Sequence, residues 1–411
     1  MTQTTTPATA ADMPRARRRA LTVLVASQTL GGAGMAAGIT VGALLAQDLL
    51  GSTGLAGLPA ALFTIGAALG AAVLGRLCQR FGRRPGLALG NAIAALGSAG
   101  VVAGAAARWP ALLLTALFVY GAGTATGMLA RYAGAELAPP ERRGRAAGTV
   151  LFAMTLGAVA GPNLVGPTGA LAHTWGIPRL AGPFLLAAAA YTAAALVLLI
   201  RLRPDPLRVP QPGKPHDATA APGTGPVRGG PGVVTGATVM ITAQLVMIAV
   251  MTMTPVHMTG HGHTTQAVGL VIGLHVGAMF LPSPLSGLLT DRLGARRVAV
   301  AAGAVLPGAG LLASLAPPAS VLLQACALVL LGAGWNLALL SGTALITDAA
   351  PAGNRAAVQG LADVGMSVAG ATGAMASGLV VGTGGYPVLA AAAGALALAV
   401  IPAVALRGAR R

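Results

Sequence analysis

Long apolar runs separated by short charged clusters fill this chain from about residue 20 to about residue 406. The runs fall at roughly 20–46, 54–76, 86–106, 110–136, 146–167, 180–201, 233–257, 265–289, 297–316, 319–347, 356–383 and 386–406. Each is long enough to cross about 30 Å of hydrocarbon as a helix. Apolar side chains are continuous within a run and do not alternate, so the pattern predicts helices and not barrel strands. A helix also satisfies its own backbone polar groups, which lipid requires. The expected fold is an all-α membrane protein of twelve transmembrane helices.

Positive charge marks the ends of these runs. Arg15, Arg17, Arg18 and Arg19 precede the first run, Arg76, Arg80, Arg83 and Arg84 follow the second, and Arg142, Arg143 and Arg145 follow the fourth. Arg201, Arg203, Arg208, Lys214 and Arg228 follow the sixth, Arg292, Arg296 and Arg297 the eighth, Arg355 the tenth, and Arg407, Arg410 and Arg411 the twelfth. On the other side stand only Arg108 and Arg179, so the positive-inside bias places both termini and the basic loops in the cytoplasm, with the turn at His261 outside. The formal charge of +17 could suggest nucleic acid. Scattered over separate short loops, it forms no groove-sized patch, and no nucleic-acid partner is expected. With 55% of residues apolar and 9% charged, a water-soluble fold would lack the polar side chains to cover itself.

The polar start, "MTQTTTPATAADMP", reads as a tail over 1–19, and the first run is too long for a signal-peptide core and is expected to be retained. Cys78 and Cys326 form no CxxC pair and imply no disulfide framework.

The chain repeats itself. "GRLCQRFGRR" begins at Gly75 and "GLLTDRLGARR" at Gly287, which aligns Gly75, Arg80, Gly82 and Arg84 with Gly287, Arg292, Gly294 and either Arg296 or Arg297. "GAG" at Gly121 returns at Gly332, and "RAA" at Arg145 returns at Arg355. A duplicated six-span unit follows, with halves at 20–202 and 233–406, a short tail at 407–411, and a Pro- and Gly-rich linker at 203–232. Parallel repeats with an even number of spans imply an axis along the membrane normal and a substrate site between the halves near the midplane.

On these residues the sequence resembles the major facilitator superfamily over nearly its whole length. That family's loop after the second and eighth spans reads G-x-x-x-D-R-x-G-R-R, which Gly287, Asp291, Arg292, Gly294 and Arg296 match. Gly294 allows a tight turn, while the Asp can bind helix-end amides or Arg and hold the cytoplasmic side shut. The first copy, with Gly75, Arg80, Gly82 and Arg83, has Gln79 at the Asp position, able to bond without charge. In the fifth span "GAVAGPNLVG", with Gly157, Gly161, Pro162 and Gly166, resembles the family's antiporter motif G-x-x-x-G-P-x-x-G-G, Val165 replacing one glycine. Small residues at i and i+4 admit a facing helix, and the Pro kinks the span. The Arg often found within the family's fourth span has no counterpart, since Leu117, Phe118 and Val119 occupy that region. Arg131 lies farther along, where the sequence places it at the cytoplasmic end beside Glu136.

Ionisable residues inside a membrane are costly and default to functional candidates. Asp363 lies about 12 Å into the eleventh span, counted from Arg355 at 1.5 Å per residue. As an isolated carboxylate in a dry site it can take and release a proton as access alternates, and it is the first candidate for coupling. His275, near the middle of the eighth span, is the second, and Asp48 a further one. Gln28, Asn163, Gln244, Trp335 and Asn336 are midspan polar residues suited to recognising a mostly apolar or aromatic organic molecule by stacking and hydrogen bonds. "MTMTPVHMTGHGH" gathers His257, His261 and His263 with three Met, a soft-metal composition that matches no closed zinc spacing. A polar outer turn is the plainer reading of it, so no metal and no cofactor are expected.

An enzyme would need a convergent nucleophile and base or a metal set, and Asp363 and His275 are unaccompanied by such a constellation, which argues against an enzyme. No soluble domain accompanies the spans, which argues against a receptor or scaffold. The resemblance implies a bacterial permease of the cytoplasmic membrane, acting as a monomer by alternating access. Proton-coupled efflux of a small organic molecule leads, ahead of import of a vitamin-like metabolite and then metal export.

Overall fold

The computed structural model describes residues 13–50, 58–209, 230–398, 400 and 404, with the side chains of 36–50, 60, 158–163 and 265 outside that description. Thirteen α-helices lie among these residues: α1 (Met13–Leu50), α2 (Leu58–Phe81), α3 (Arg83–Ala106), α4 (Pro110–Leu137), α5 (Arg143–Asn163), α6 (Val165–Thr174), α7 (Gly182–Arg201), α8 (Pro231–Gly260), α9 (Thr265–Phe280), α10 (Ser283–Leu293), α11 (Ala295–Leu315), α12 (Val321–Ala349) and α13 (Arg355–Ala397). No strand occurs among the described residues.

The labels differ from the twelve expected spans for local reasons. The fifth run carries Pro162 and Pro167 and breaks into α5 and α6 at Leu164, while the eighth carries Pro282 and Pro284 and breaks into α9 and α10. Proline lacks the N–H that would continue the ladder, and its ring crowds the preceding turn. The last two runs join in α13 across Gly385, whose φ of 80° and ψ of 173° turn the chain sharply in a conformation open to glycine. Elsewhere the starts follow capping chemistry. Thr264 accepts from the Ala267 amide at 3.2 Å and Ser320 from that of Leu323 at 3.3 Å, while Pro110 and Pro183 open α4 and α7.

The helices pack as two six-span halves, α1 to α7 and α8 to α13. In the first, α1 lies on α5 and α7, α3 on α4 and α7, and α2 on α4; in the second, α8 lies on α12 and α13, α9 on α12, and α11 on α12 and α13. Two seams join the halves, α2 against α13 and α5 against α10. Lipid removes the hydrophobic drive between helices, so close approach of backbones supplies the attraction. A Cβ on Gly75 would meet the Gly360 Cα at 2.9 Å, and one on Gly144 would meet the Gly287 carbonyl oxygen at 2.5 Å.

Both glycine contacts lie at the end of the bundle that carries the basic clusters, and the α2–α13 seam loosens away from it. On α2, Ala71 and Gly75 are buried, Thr64 and Ala68 on the same face are half-buried, and Ala61 is exposed. On α13, Ala356 and Gly360 are buried, Val364 and Ser367 half-buried, and Ala371 and Gly378 exposed. The molecule is shut at its basic end.

Candidate functional site

Charge is buried just inside this closed end. Arg131 of α4 reaches across to α13, where its Nη2 donates to Asp363 Oδ1 at 2.5 Å and its Nη1 to Oδ2 at 3.3 Å. Its Nε donates to Thr343 Oγ1 of α12 at 2.9 Å and its Nη2 to the Tyr132 hydroxyl at 3.1 Å. The Arg131 side chain is 0% exposed and that of Asp363 6%. One guanidinium thus ties the first half to two helices of the second. Sequence reasoning found the carboxylate and took it as isolated; its partner stands 232 residues earlier. The same reasoning set Arg131 beside Glu136, but five residues of helix turn a side chain about 140° round the axis, so the two face different ways.

Glu136 is instead taken by Arg83, whose Nε donates to Oε2 at 2.9 Å and Nη2 to Oε1 at 2.8 Å, with both side chains fully buried. Arg83 opens α3 directly after Gly82, whose φ of 104° makes the turn that sends the guanidinium inward. Arg83 also donates to the Gln359 side-chain oxygen on α13, and Gln359 Nε2 donates to Thr347 Oγ1 at 3.3 Å. The Arg83–Glu136 pair lies within one half, whereas Arg131–Asp363 joins the two.

The repeated loops supply a second layer at the rim. Asp291 Oδ1 accepts from the Gly144 amide at 2.7 Å and Oδ2 from the Arg145 amide at 3.0 Å, so a carboxylate of α10 sits at the positive N-terminus of α5. In the other copy Gln79 Oε1 accepts from the Ala356 amide at 2.7 Å, and its Nε2 donates to the Ala352 carbonyl at 3.3 Å, seating an uncharged amide at the start of α13. Arg143 and Asp348 add an ion pair between α5 and α12. Asp205 accepts from the Arg83 amide at 3.0 Å and the Arg84 amide at 2.8 Å, closing the α2–α3 turn from the segment after α7. Gly294 makes the second turn with φ 88°, and Arg80, Arg292 and Arg296 are exposed around the rim. Apart from exposed Glu141, each acidic side chain described is committed to this end.

Farther from the basic end the polar candidates separate. Gln244 and Trp335 come together, the indole Nε1 donating to the amide oxygen at 2.7 Å, with Phe280 edge-on to the indole at 5.6 Å. They lie about two helical turns beyond Thr343, some ~12 Å along α12. Gln28 shares a small cleft in the first half with Asn91, Thr126 and Tyr191. Asn336 faces away from Trp335, donating to the Met279 carbonyl at 2.7 Å and Ser283 Oγ at 2.8 Å, and ties α12 to α9 and α10. The side chains of Asn163 and Pro162, with Gly161, lie outside the description. Gly157 packs closely on α1, where a Cβ would meet the Gly32 carbonyl carbon at 2.9 Å; a Cβ on Gly166 would meet no neighbouring element within 4 Å. Buried His275 donates from Nδ1 to the Leu328 carbonyl at 2.7 Å, against α12.

The rings of two of the three outer histidines, His257 and His261, pack at 4.4 Å, and each of the three has a protein partner. His257 stacks on Tyr386 at 4.4 Å, His261 Nδ1 donates to the His257 carbonyl at 2.8 Å, and His263 Nε2 donates to the Pro318 carbonyl at 2.7 Å. Among the described residues no three His, Cys, Asp or Glu side chains converge as a metal site.

Comparison with known proteins gives the same architecture. A family model described as Major Facilitator Superfamily matches residues 23–362 and 266–411. The chain is 49% identical over 393 residues to an uncharacterized MFS-type transporter, YddS, of Bacillus subtilis, covering 94% of this chain and 90% of the relative. It is 30% identical over 361 residues to the riboflavin transporter RfnT of Brucella anthropi, covering 85% of each. Among solved structures, the human organic anion transporter MFSD10 aligns with a TM-score of 0.76 at 16% identity, over 94% of this chain and 99% of that one. The Escherichia coli fucose:proton symporter FucP aligns at 0.74 and 13%, over 96% and 99%.

Proposed function

The chain belongs to the major facilitator superfamily, as a multi-pass membrane transporter of small molecules, and on that premise we propose that it drives proton-coupled efflux of a small organic molecule across the cytoplasmic membrane. The observation that carries this reading is the buried Arg131–Asp363 pair across the closed basic end. We place that end in the cytoplasm, with both tails and the 203–232 linker, so that the structure is the outward-facing state. One chain holds both halves and the seam between them, which suffices for alternating access as a monomer.

With Asp363 ionised, its attraction to Arg131 holds α4 to α13 in surroundings of low dielectric. A proton arriving from outside neutralises the carboxylate and removes that attraction, and the halves part at the basic end. Inside, the proton leaves as substrate binds, the charge returns, the pair re-forms, and the cavity faces outward again. The gate residues Gln79 and Asp291 act in the same direction by clamping the starts of α13 and α5. Gln28 of the first half and the Gln244–Trp335 pair of the second are the recognition residues, an indole with two amides that favours a flat, largely apolar molecule with hydrogen-bonding edges. Asn163 belongs to that surface by its place in the fifth span, while Asn336 serves as a helix tie.

A second reading, proton-driven import of a vitamin-like compound, is favoured by the 30% identity to a riboflavin transporter. Protonation opens the basic end in both, and direction depends on whether substrate travels with the proton or against it. Sealed vesicles of known orientation decide between them. Efflux requires accumulation of a compound from a panel of aromatic heterocycles, riboflavin included, in inside-out vesicles with an acid interior. Accumulation only in right-side-out vesicles with acid outside would replace efflux by import.

A further inference from the structure

A cleft of about 520 Å³ opens at the basic end within the first half, between the first turns of α1, the last turn of α4 and the first turns of α5. Its floor is apolar, with Leu21 and Leu137, and its rim carries Arg17, Arg18, Arg142 and Arg145. Arg18, Arg142 and Arg145 are exposed, and no lining residue is acidic. Of the acids nearby, Glu141 is exposed on the short turn before α5, and Asp291 is occupied by the Gly144 and Arg145 amides.

From the rim the cleft leads onto a strip of α5 that faces away from its neighbours. Gly144 and Gly148 of α5 face α10, and Val150 faces Gly134 of α4. Arg145, Thr149, Phe152 and Leu156 recur at helical spacing on the remaining side, and Leu156 is 50% exposed. An apolar strip thus runs into the membrane beneath a ring of guanidinium groups at its surface.

The two features together select one kind of ligand. A free anion would use only the rim and an apolar molecule only the floor, whereas an amphiphile with an anionic head uses both. Guanidinium groups match phosphate oxygens in charge and fork geometry, and the cytoplasmic leaflet is the one rich in anionic lipid. We infer that this cleft binds the phosphate headgroup of an anionic phospholipid, with an acyl chain along the Thr149–Leu156 strip. The lipid would rest on the same turn of α5 whose amides hold Asp291, next to the gate. This rests on the basic end facing the cytoplasm, and not on the substrate or the direction of transport.

Native mass spectrometry of the full-length protein, taken from bilayers of phosphatidylglycerol and phosphatidylcholine in equal parts, tests the assignment. Phosphatidylglycerol should be retained in preference, with retention falling about fivefold for each of Arg18→Gln, Arg142→Gln and Arg145→Gln. Arg76→Gln and Arg297→Gln, exposed arginines elsewhere, should leave it unchanged. No preference, equal losses in all five variants, or displacement of the lipid by inorganic phosphate would each overturn the site. Photoactivatable phosphatidylglycerol on the unmutated protein makes the test independent of variant folding: label should fall on the Leu21 and Thr149–Leu156 faces, and label confined elsewhere contradicts the inference.

Discussion

Two buried guanidinium–carboxylate pairs at one end of a membrane protein do different jobs, and the difference lies in what each pair connects. Arg83 and Glu136 join α3 to α4 within a half, so no rigid-body movement of the halves separates them. Arg131 and Asp363 join α4 to α13 across the seam, so parting the halves exposes both to water. Removing one member of a fully buried pair strands the other at a cost of about 3–5 kcal/mol, and an Arg cannot shed its charge. Glu136→Gln should therefore lower thermal stability strongly. Asp363→Asn should lower it less, because the protein can open and hydrate Arg131. Thermal unfolding of the purified variants checks this, and equal losses would assign the seam pair a purely structural role. Asp363 was legible in the sequence because acids are rare within apolar runs. Its partner was not, since the pair joins residues far apart in the chain, and nothing in the α4 pattern shows that Arg131 and Glu136 face different ways.

Among the elements, the N-termini of α5 and α13 are the seats of the proposed gate. Asp291 offers a charge to two amides, and Gln79 offers a neutral oxygen to one. A carboxylate at a helix N-terminus contributes about 0.3–1 kcal/mol when exposed and up to ~2 when partly buried. Asp291→Asn should then shift the population toward the state open at the basic end by more than Gln79→Ala does. Disulfide crosslinking between cysteines placed on the basic ends of α5 and α10 reports the shift; equal, negligible changes in both variants would leave these loops as anchors alone. The repeat of Gly, Arg and Gly at matching offsets makes both loops legible in the sequence. The helix ends they seat against were invisible, because amides at a helix start leave no trace in side-chain pattern. Run lengths likewise revealed the spans but not the break near Pro282; in the fifth span Pro162 predicts a kink, and the helix breaks at Leu164.

Across the whole molecule, continuous hydrophobicity and the duplication made the two-half helical fold readable. The seams were not, because they depend on glycine approaches that a chain with 60 Gly could place almost anywhere. The placement of arginines also predicts an orientation that can be checked directly. A cysteine at position 216 should react with an impermeant reagent only in inside-out vesicles, and one at 261 only in right-side-out vesicles; labelling of 216 from outside intact cells would contradict a cytoplasmic linker. Closure at the basic end, charge across the seam and the proposed proton coupling meet in a single carboxylate. The most direct test is transport by Asp363→Asn in sealed vesicles, with gradient-driven accumulation and counterflow exchange measured side by side. Accumulation should be lost while counterflow and substrate binding persist, since Asn keeps the size and hydrogen bonding of Asp but cannot titrate. Accumulation at the unmutated rate in a normally folded variant would contradict the account and move the coupling site to His275 or Asp48.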